Sequence, residues 1–198
     1  MNAFIALENY IVKEEKDFGV GVPVTLNEQV AMYESQRKKN VQSYNNWLSI
    51  NIPDSSLFLK PGEAIDRQSE DVQKILNSKD FIMALFIHEA RIVFTQMDSL
   101  LPGNNNKEES DKIFEDFTNQ KRKIIYSFDS GQSFFNFINS KCLTHDKAKS
   151  SALLYHFGIK GCRYLDKTGE KYLIFNAKKD IVPLEYRNER LPDSKLVV

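Results

Sequence analysis

The feature that most constrains this chain is a change of hydrophobic period near its C-terminal end. Residues 146–157 carry apolar side chains at helical spacing, and Gly158 stands where a left-handed helix cap requires glycine. From residue 161 the period becomes two, with a turn at 166–169 and a second alternating run at 171–175. The sequence therefore predicts a helix followed directly by a β-hairpin.

The N-terminal part also shows readable elements. Thr25 and Glu28 have the spacing of a capping box, which predicts a helix over residues 26–42. Residues 47–52 alternate, and Pro53 ends the run. This alternation predicts a strand with three apolar side chains on one face, namely Leu48, Ile50 and Ile52.

The middle of the chain favours helices. Residues 69–77 and 80–101 have helical spacing, and the second run is long and apolar until Pro102. Residues 104–111 are polar without apolar periodicity, which predicts a surface loop. A short helix is predicted around 134–138, and residues 181–184 predict a short edge strand.

Composition excludes several classes of protein. The 27 basic and 27 acidic residues cancel, which disfavours nucleic-acid binding, and the basic run 121–123 is interpreted as a solvated strand start. No apolar run reaches the ~20 residues of a membrane span, and no secretory signal is evident. We expect one cytoplasmic domain over residues 1–198, with Cys142 and Cys162 as buried apolar side chains and no metal site.

Four stretches resemble the ADP-ribosyltransferase-like domains of large polyvalent proteins from phages and other mobile elements. Residues 19–25 are similar to the family's glycine-bracketed strand, and residues 48–54 to its strand ending in Ile-Pro-Asp. Residues 157–166, FGIKGCRYLD, resemble its Gly-Ile-x-Gly turn and Arg-Tyr strand, and residues 171–176 its closing strand. The last two stretches carry most of the resemblance.

The resemblance implies an α+β protein with a split two-sheet ADP-ribosyltransferase-like fold. It covers about residues 19–186, with 80–120 as a helical and loop insertion. It further implies that NAD binds in a cleft as substrate and that ADP-ribose passes to a host protein or other macromolecule.

The same resemblance suggests which side chains act. A carboxylate near the turn, Glu170 or Asp166, would stabilise the oxocarbenium-like ribose, although an aspartate there is equally ordinary turn chemistry. The guanidinium of Arg163 suits a pyrophosphate, or else a surface ion pair. Tyrosines at such positions also suit the edge of a core. The cofactor-binding candidates are Arg163, Tyr164, Thr25 and Tyr33.

Two functions from different classes remain open. The first is an NAD-dependent ADP-ribosyltransferase of phage or mobile-element origin. The second is a catalytically degenerate form of the same fold that binds a host protein and modulates host defence. Residues 1–10 contain no His or Arg, which active relatives usually place on the first strand to hold NAD, and this favours the second reading.

Overall fold

A computed structural model describes residues 1–6, 13–37, 44–100, 107–141 and 145–190 of the chain. Within them, eight strands form one open mixed sheet with the order β5-β6-β7-β3-β1-β4-β8, and β2 pairs with β3 outside this path. The strands are β1 Asn2–Ala6, β2 Glu14–Lys16, β3 Gly19–Thr25, β4 Tyr44–Asn51, β5 Phe58–Leu59, β6 Gly161–Asp166, β7 Gly169–Ile174 and β8 Val182–Arg190.

Most of the helices lie between β5 and β6 in the chain, so the protein is of mixed α and β class, as the sequence predicts. The described helices are α1 Glu28–Arg37, α2 Glu70–Asn77, α3 Lys79–Leu85, α4 Ile87–Leu100, α5 Lys107–Tyr126, α6 Gly131–Lys141, α7 Lys147–His156 and α8 Ala177–Asp180. None of these described helices combines the length and the apolar character needed to cross a bilayer.

The strands β1 and β3 are joined over a shorter length than any other neighbouring pair in the sheet order. Only one residue pair, Phe4 with Thr25, joins these two strands, whereas β1 and β4 pair over five positions. The β5–β6 pair is parallel, and all other pairs are antiparallel. The described strands thus form one open mixed sheet with a short joint, and the finer expectation of a split two-sheet ADP-ribosyltransferase-like fold stays a prediction.

The two faces of the sheet bury different clusters. On one face, Cys162 and Leu173 pack with helix side chains that include Phe81, Phe117 and Phe134. The other face buries apolar side chains from five strands, namely Ala3, Ile5, Val22, Val24, Leu48, Ile50, Phe58, Tyr172 and Ile174. Since α3 and α5 contribute to the first cluster, the described residues of the segment 80–120 belong to the core, and its being an insertion stays a prediction.

Several predicted elements are confirmed. Leu48 and Ile50 of β4 and Ile52, directly after it, are buried as expected, and α2 begins after its Ser69 cap. The helix, glycine cap and hairpin at the C-terminal end are also confirmed, with Gly158 at a φ of +108°. β8 is an edge strand as predicted but extends to Arg190, and Cys162 is fully buried. Cys142 lies outside the described residues.

Three predictions in the helical middle are wrong. The long helix 80–101 is two helices separated at Phe86, whose ψ of 34° leaves helical geometry and whose ring is buried near Phe137. The loop 104–111 is helical from Lys107 onward, and residues 104–106 lie outside the described part. The basic run 121–123 lies within α5 and does not start a strand.

The predicted cap of the first helix is also wrong. The Asn27 side chain accepts the backbone N–H of Gln29 at 2.9 Å and of Val30 at 3.4 Å, so Asn27 caps α1 in place of Thr25. The helix begins at Glu28, and residues 38–42 of the predicted helix lie outside the described part.

Candidate functional site

The hairpin β6–β7 separates the predicted site residues onto two faces. Its register pairs Arg163 with Tyr172 and Leu165 with Glu170. Directly opposed residues of an antiparallel pair project from the same face, so four side chains share one face, namely Arg163, Leu165, Glu170 and Tyr172. Tyr164 and Asp166 belong to the opposite face.

A cleft of about 560 Å³ opens beside β6. One wall is the loop 60–63, which follows β5, and the other includes Arg163 and Glu170. Tyr164, Leu165 and Phe18 complete the lining. The structure thus brings together three of the six predicted site residues in one cavity, Arg163, Tyr164 and Glu170.

Glu170 is held in place by two neighbours. Its Oε1 forms an ion pair with Nε of Arg163 and accepts a hydrogen bond from the Tyr172 hydroxyl at 2.9 Å. Burial and the contact with the Glu170 carboxylate raise the pKa of Tyr172 to about 12. Burial works against the charge of Arg163, but the hydrogen bond with Glu170 and the charges of neighbouring groups together outweigh it and raise the pKa of Arg163. These two contacts hold the Glu170 carboxylate in position, and the Arg163 guanidinium offsets part of its charge.

The Arg163 side chain has hydrogen-bond donors that Glu170 does not use. Its side chain is 36% exposed in the cleft, and only Nε is engaged with Glu170. Within the described residues, neither Nη1 nor Nη2 has a hydrogen-bond partner. A guanidinium with two free parallel donors is suited to a carboxylate or a phosphate.

The loop wall is fixed by Gln68, a residue that is only 4% exposed. Its Oε1 accepts the N–H of Lys60 at 2.8 Å, and its Nε2 donates to the carbonyls of Lys60 and Glu63, both at 2.9 Å. Lys60 Nζ also pairs with the Glu63 carboxylate at 3.0 Å. The sequence shows a Pro61–Gly62 turn signal, but no local pattern identifies Gln68 as the residue that holds the turn.

Asp166 does not line the cleft. Its Oδ1 accepts the N–H and hydroxyl of Thr168, at 2.7 and 2.6 Å, and its Oδ2 pairs with Lys171 Nζ at 2.9 Å. Burial acts to raise the pKa of Asp166, but the bonds from Thr168 and Lys171 prevail and lower it. Lys171 also pairs with Glu34 of α1, so Asp166 belongs to a group of ion pairs that connects the turn to that helix.

Of the remaining candidates, Tyr164 lies in the cleft, whereas Thr25 and Tyr33 do not line it. The Tyr164 ring packs against Phe18 with centroids 4.9 Å apart, and burial raises the pKa of its hydroxyl. Thr25 is buried, and its hydroxyl contacts the Glu170 carbonyl at 3.5 Å, so it supports the strand that carries Glu170. Tyr33 lies on α1 and is 56% exposed.

No protein-family model, no curated protein and no solved structure matches the chain. Among the described residues, no three His, Cys, Asp or Glu side chains lie close enough to hold a metal ion. The chemistry of the cleft must therefore be argued from its own side chains.

Proposed function

We propose that this protein is an ADP-ribosyltransferase-like protein of phage or mobile-element origin, which acts in the cytoplasm and transfers ADP-ribose from NAD to a host macromolecule. The observation that supports the proposal is the meeting of Arg163 and Glu170 in one cleft. Its volume, about 560 Å³, lies within the ~300–1,000 Å³ typical of small-molecule sites.

Each cleft residue has a role in this reaction. The bond between ribose C1′ and the nicotinamide nitrogen breaks, and its electron pair leaves with nicotinamide. The Glu170 carboxylate stabilises the positive charge that develops on the ribose, and its fixed position means that little reorganisation is needed. The acceptor's oxygen or nitrogen then bonds to C1′ and releases its proton.

The other cleft side chains bind the dinucleotide. The free Nη1 and Nη2 of Arg163 bind the pyrophosphate, and Tyr164 with Phe18 offers an aromatic surface to the nicotinamide. Thr25, Tyr33 and Asp166 bind no ligand in this proposal, because none of them lines the cleft.

The test is labelling of a host lysate with tagged NAD. Glu170→Gln keeps the side-chain shape and removes the charge, so labelling should fall by about 10² to 10³. Glu63→Gln is the matched control on the opposite wall and should stay within about threefold of wild type. If the wild-type protein neither binds nor consumes NAD, the transferase proposal fails. Equal labelling by Glu170→Gln would refute the role of Glu170.

A degenerate binding module is the second candidate, and a specific observation favours it. Oε1 of Glu170 already meets Arg163 and Tyr172, so part of the carboxylate's capacity is used within the protein. The first strand, Asn2–Ala6, also carries no His or Arg. Calorimetry with NAD distinguishes the two, because this module gives no heat of NAD binding while it still binds its protein partner.

A further inference from the structure

One edge of β6 is open along the cleft. β5 pairs only with Gly161 and Cys162, and no other described strand pairs with this side of β6. Phe175 donates its N–H to the Lys160 carbonyl at 3.0 Å, so even-numbered residues of β6 bond to β7. The backbone N–H and C=O of Leu165 consequently point away from β7, toward the cleft.

Gln68 holds the chain in place where β5 ends. The side-chain amide of Gln68 pairs with both the N–H and the C=O of Lys60, much as a neighbouring strand would. The chain then turns at Pro61 and Gly62, where Glu63 donates its N–H to the Lys60 carbonyl and where proline has no N–H to extend the ladder with β6. The space that a longer β5 would fill is left as the cleft.

We propose that this space binds an extended polypeptide segment of a partner protein, which adds to β6 as a strand beside residues 163–165. Adding a strand to an open edge supplies main-chain hydrogen bonds over ~10 Å of β6. The inference needs no NAD and no transfer reaction; because the segment and NAD would use the same Arg163 donors and the same two rings, they would exclude each other from the cleft.

The side chains beside this edge define the chemistry of the segment. Alternate residues of an added strand face opposite sides of the sheet. One side offers the free Nη1 and Nη2 of Arg163, while Lys60 is already paired with Glu63, so this side selects a carboxylate. The other side offers the rings of Phe18 and Tyr164, which select an apolar side chain. The segment should alternate acidic and apolar residues.

The experiment uses an eight-residue synthetic peptide of alternating aspartate and valine, blocked at both ends. It is titrated without NAD into the ¹⁵N-labelled full chain, and amide resonances are followed by NMR. We expect saturable shifts at residues 163–165 and slower hydrogen exchange at the Leu165 amide. Absence of shifts at millimolar peptide, or shifts confined to the β8 edge, would overturn the proposal.

Two control peptides separate strand addition from simple charge attraction. A fully N-methylated peptide keeps the side chains but loses the donors, and it should bind at least about tenfold more weakly. A lysine–valine peptide should also lose binding, because it presents a cation to Arg163. Equal binding of the N-methylated peptide would show that no strand forms.

A pair of variants tests the protein side. Leu165→Pro removes the outward N–H and leaves the β6–β7 ladder intact, since proline is tolerated where the N–H faces outward. We expect at least about tenfold weaker peptide binding for Leu165→Pro and a change within about threefold for Leu165→Ala, which keeps the donor. Unchanged binding by folded Leu165→Pro would contradict the proposal; should that variant not fold, the N-methylated peptide decides the question.

Discussion

Truncation of Gln68 tests whether one side chain holds the cleft open. Gln68→Ala removes three hydrogen bonds of 2.8, 2.9 and 2.9 Å, and a longer one of 3.4 Å to the Ala64 carbonyl, from a buried position. Each net hydrogen bond contributes about 1 kcal/mol, so the free energy of unfolding should fall by about 3 kcal/mol. For a chain of this size, that corresponds to a Tm lower by roughly 6–12 °C.

Urea unfolding followed by circular dichroism measures the loss. Gln132→Ala is the matched control, because the Gln132 side chain makes no hydrogen bond within the described residues, and it should change the free energy of unfolding by less than about 0.5 kcal/mol. If Gln68→Ala unfolds like this control, the loop is held by other contacts and the reasoning is refuted.

Gln68→Glu refines the same test. It keeps the acceptor for the Lys60 N–H but replaces the donor with an oxygen that faces the carbonyls of Lys60 and Glu63. This crowding favours the protonated carboxyl, so the folded-state pKa should lie above the unfolded value of ~4.3. The variant should therefore be destabilised at pH 7 and regain stability as the pH falls toward 4. Equal losses at both pH values would contradict this account.

Two further predictions concern the hairpin. The pKa of Asp166 is lowered in the folded protein, so its stabilising effect is present above the unfolded pKa of ~3.9 and is lost as the pH falls through the folded pKa. In urea titrations, Asp166→Asn should therefore be less stable than wild type at pH 7, and the difference should shrink toward pH 2. Gly161→Ala would place a Cβ 1.9 Å from the Leu173 carbonyl oxygen, whereas a Cβ at Gly62 meets nothing within 4 Å. Thermal unfolding should show Gly161→Ala destabilised by about 3 kcal/mol and Gly62→Ala within about 0.5 kcal/mol of wild type.

The sequence predicts elements well where the signal is local. The hairpin and the α7–Gly158 end follow from period, turn chemistry and glycine conformation, all within about ten residues. No helix is predicted over α5, because its polar first turn is interpreted as a loop and its residues 121–123 as a strand start. Glu108 and Glu109 resemble loop residues in composition, yet acidic side chains are favourable at a helix N-terminus.

In the candidate site, too, the sequence predicts the local contacts but not those that depend on tertiary folding. The pairing of Arg163 with Glu170 is accessible to sequence reasoning, because the turn fixes the register and places both side chains on one face. The loop 60–63 lies about a hundred residues earlier in the chain, and only tertiary folding brings it to β6. Asp166 and Glu170 flank the same turn but lie on opposite faces of the hairpin. Asp166 therefore pairs with Lys171, whereas Glu170 pairs with Arg163 in the cleft.

The edge of β6 combines two properties that open edges seldom share. Charged side chains on exposed edges usually prevent pairing between copies of a protein, and Arg163 with Glu170 places such charges here. Leu165 interrupts them with a side chain that is 80% exposed. A segment with an acidic residue would neutralise the guanidinium of Arg163, whereas a second copy of β6 carries an arginine and not a carboxylate at this position. The charges that disfavour self-association thus favour the acidic and apolar strand proposed for this cleft.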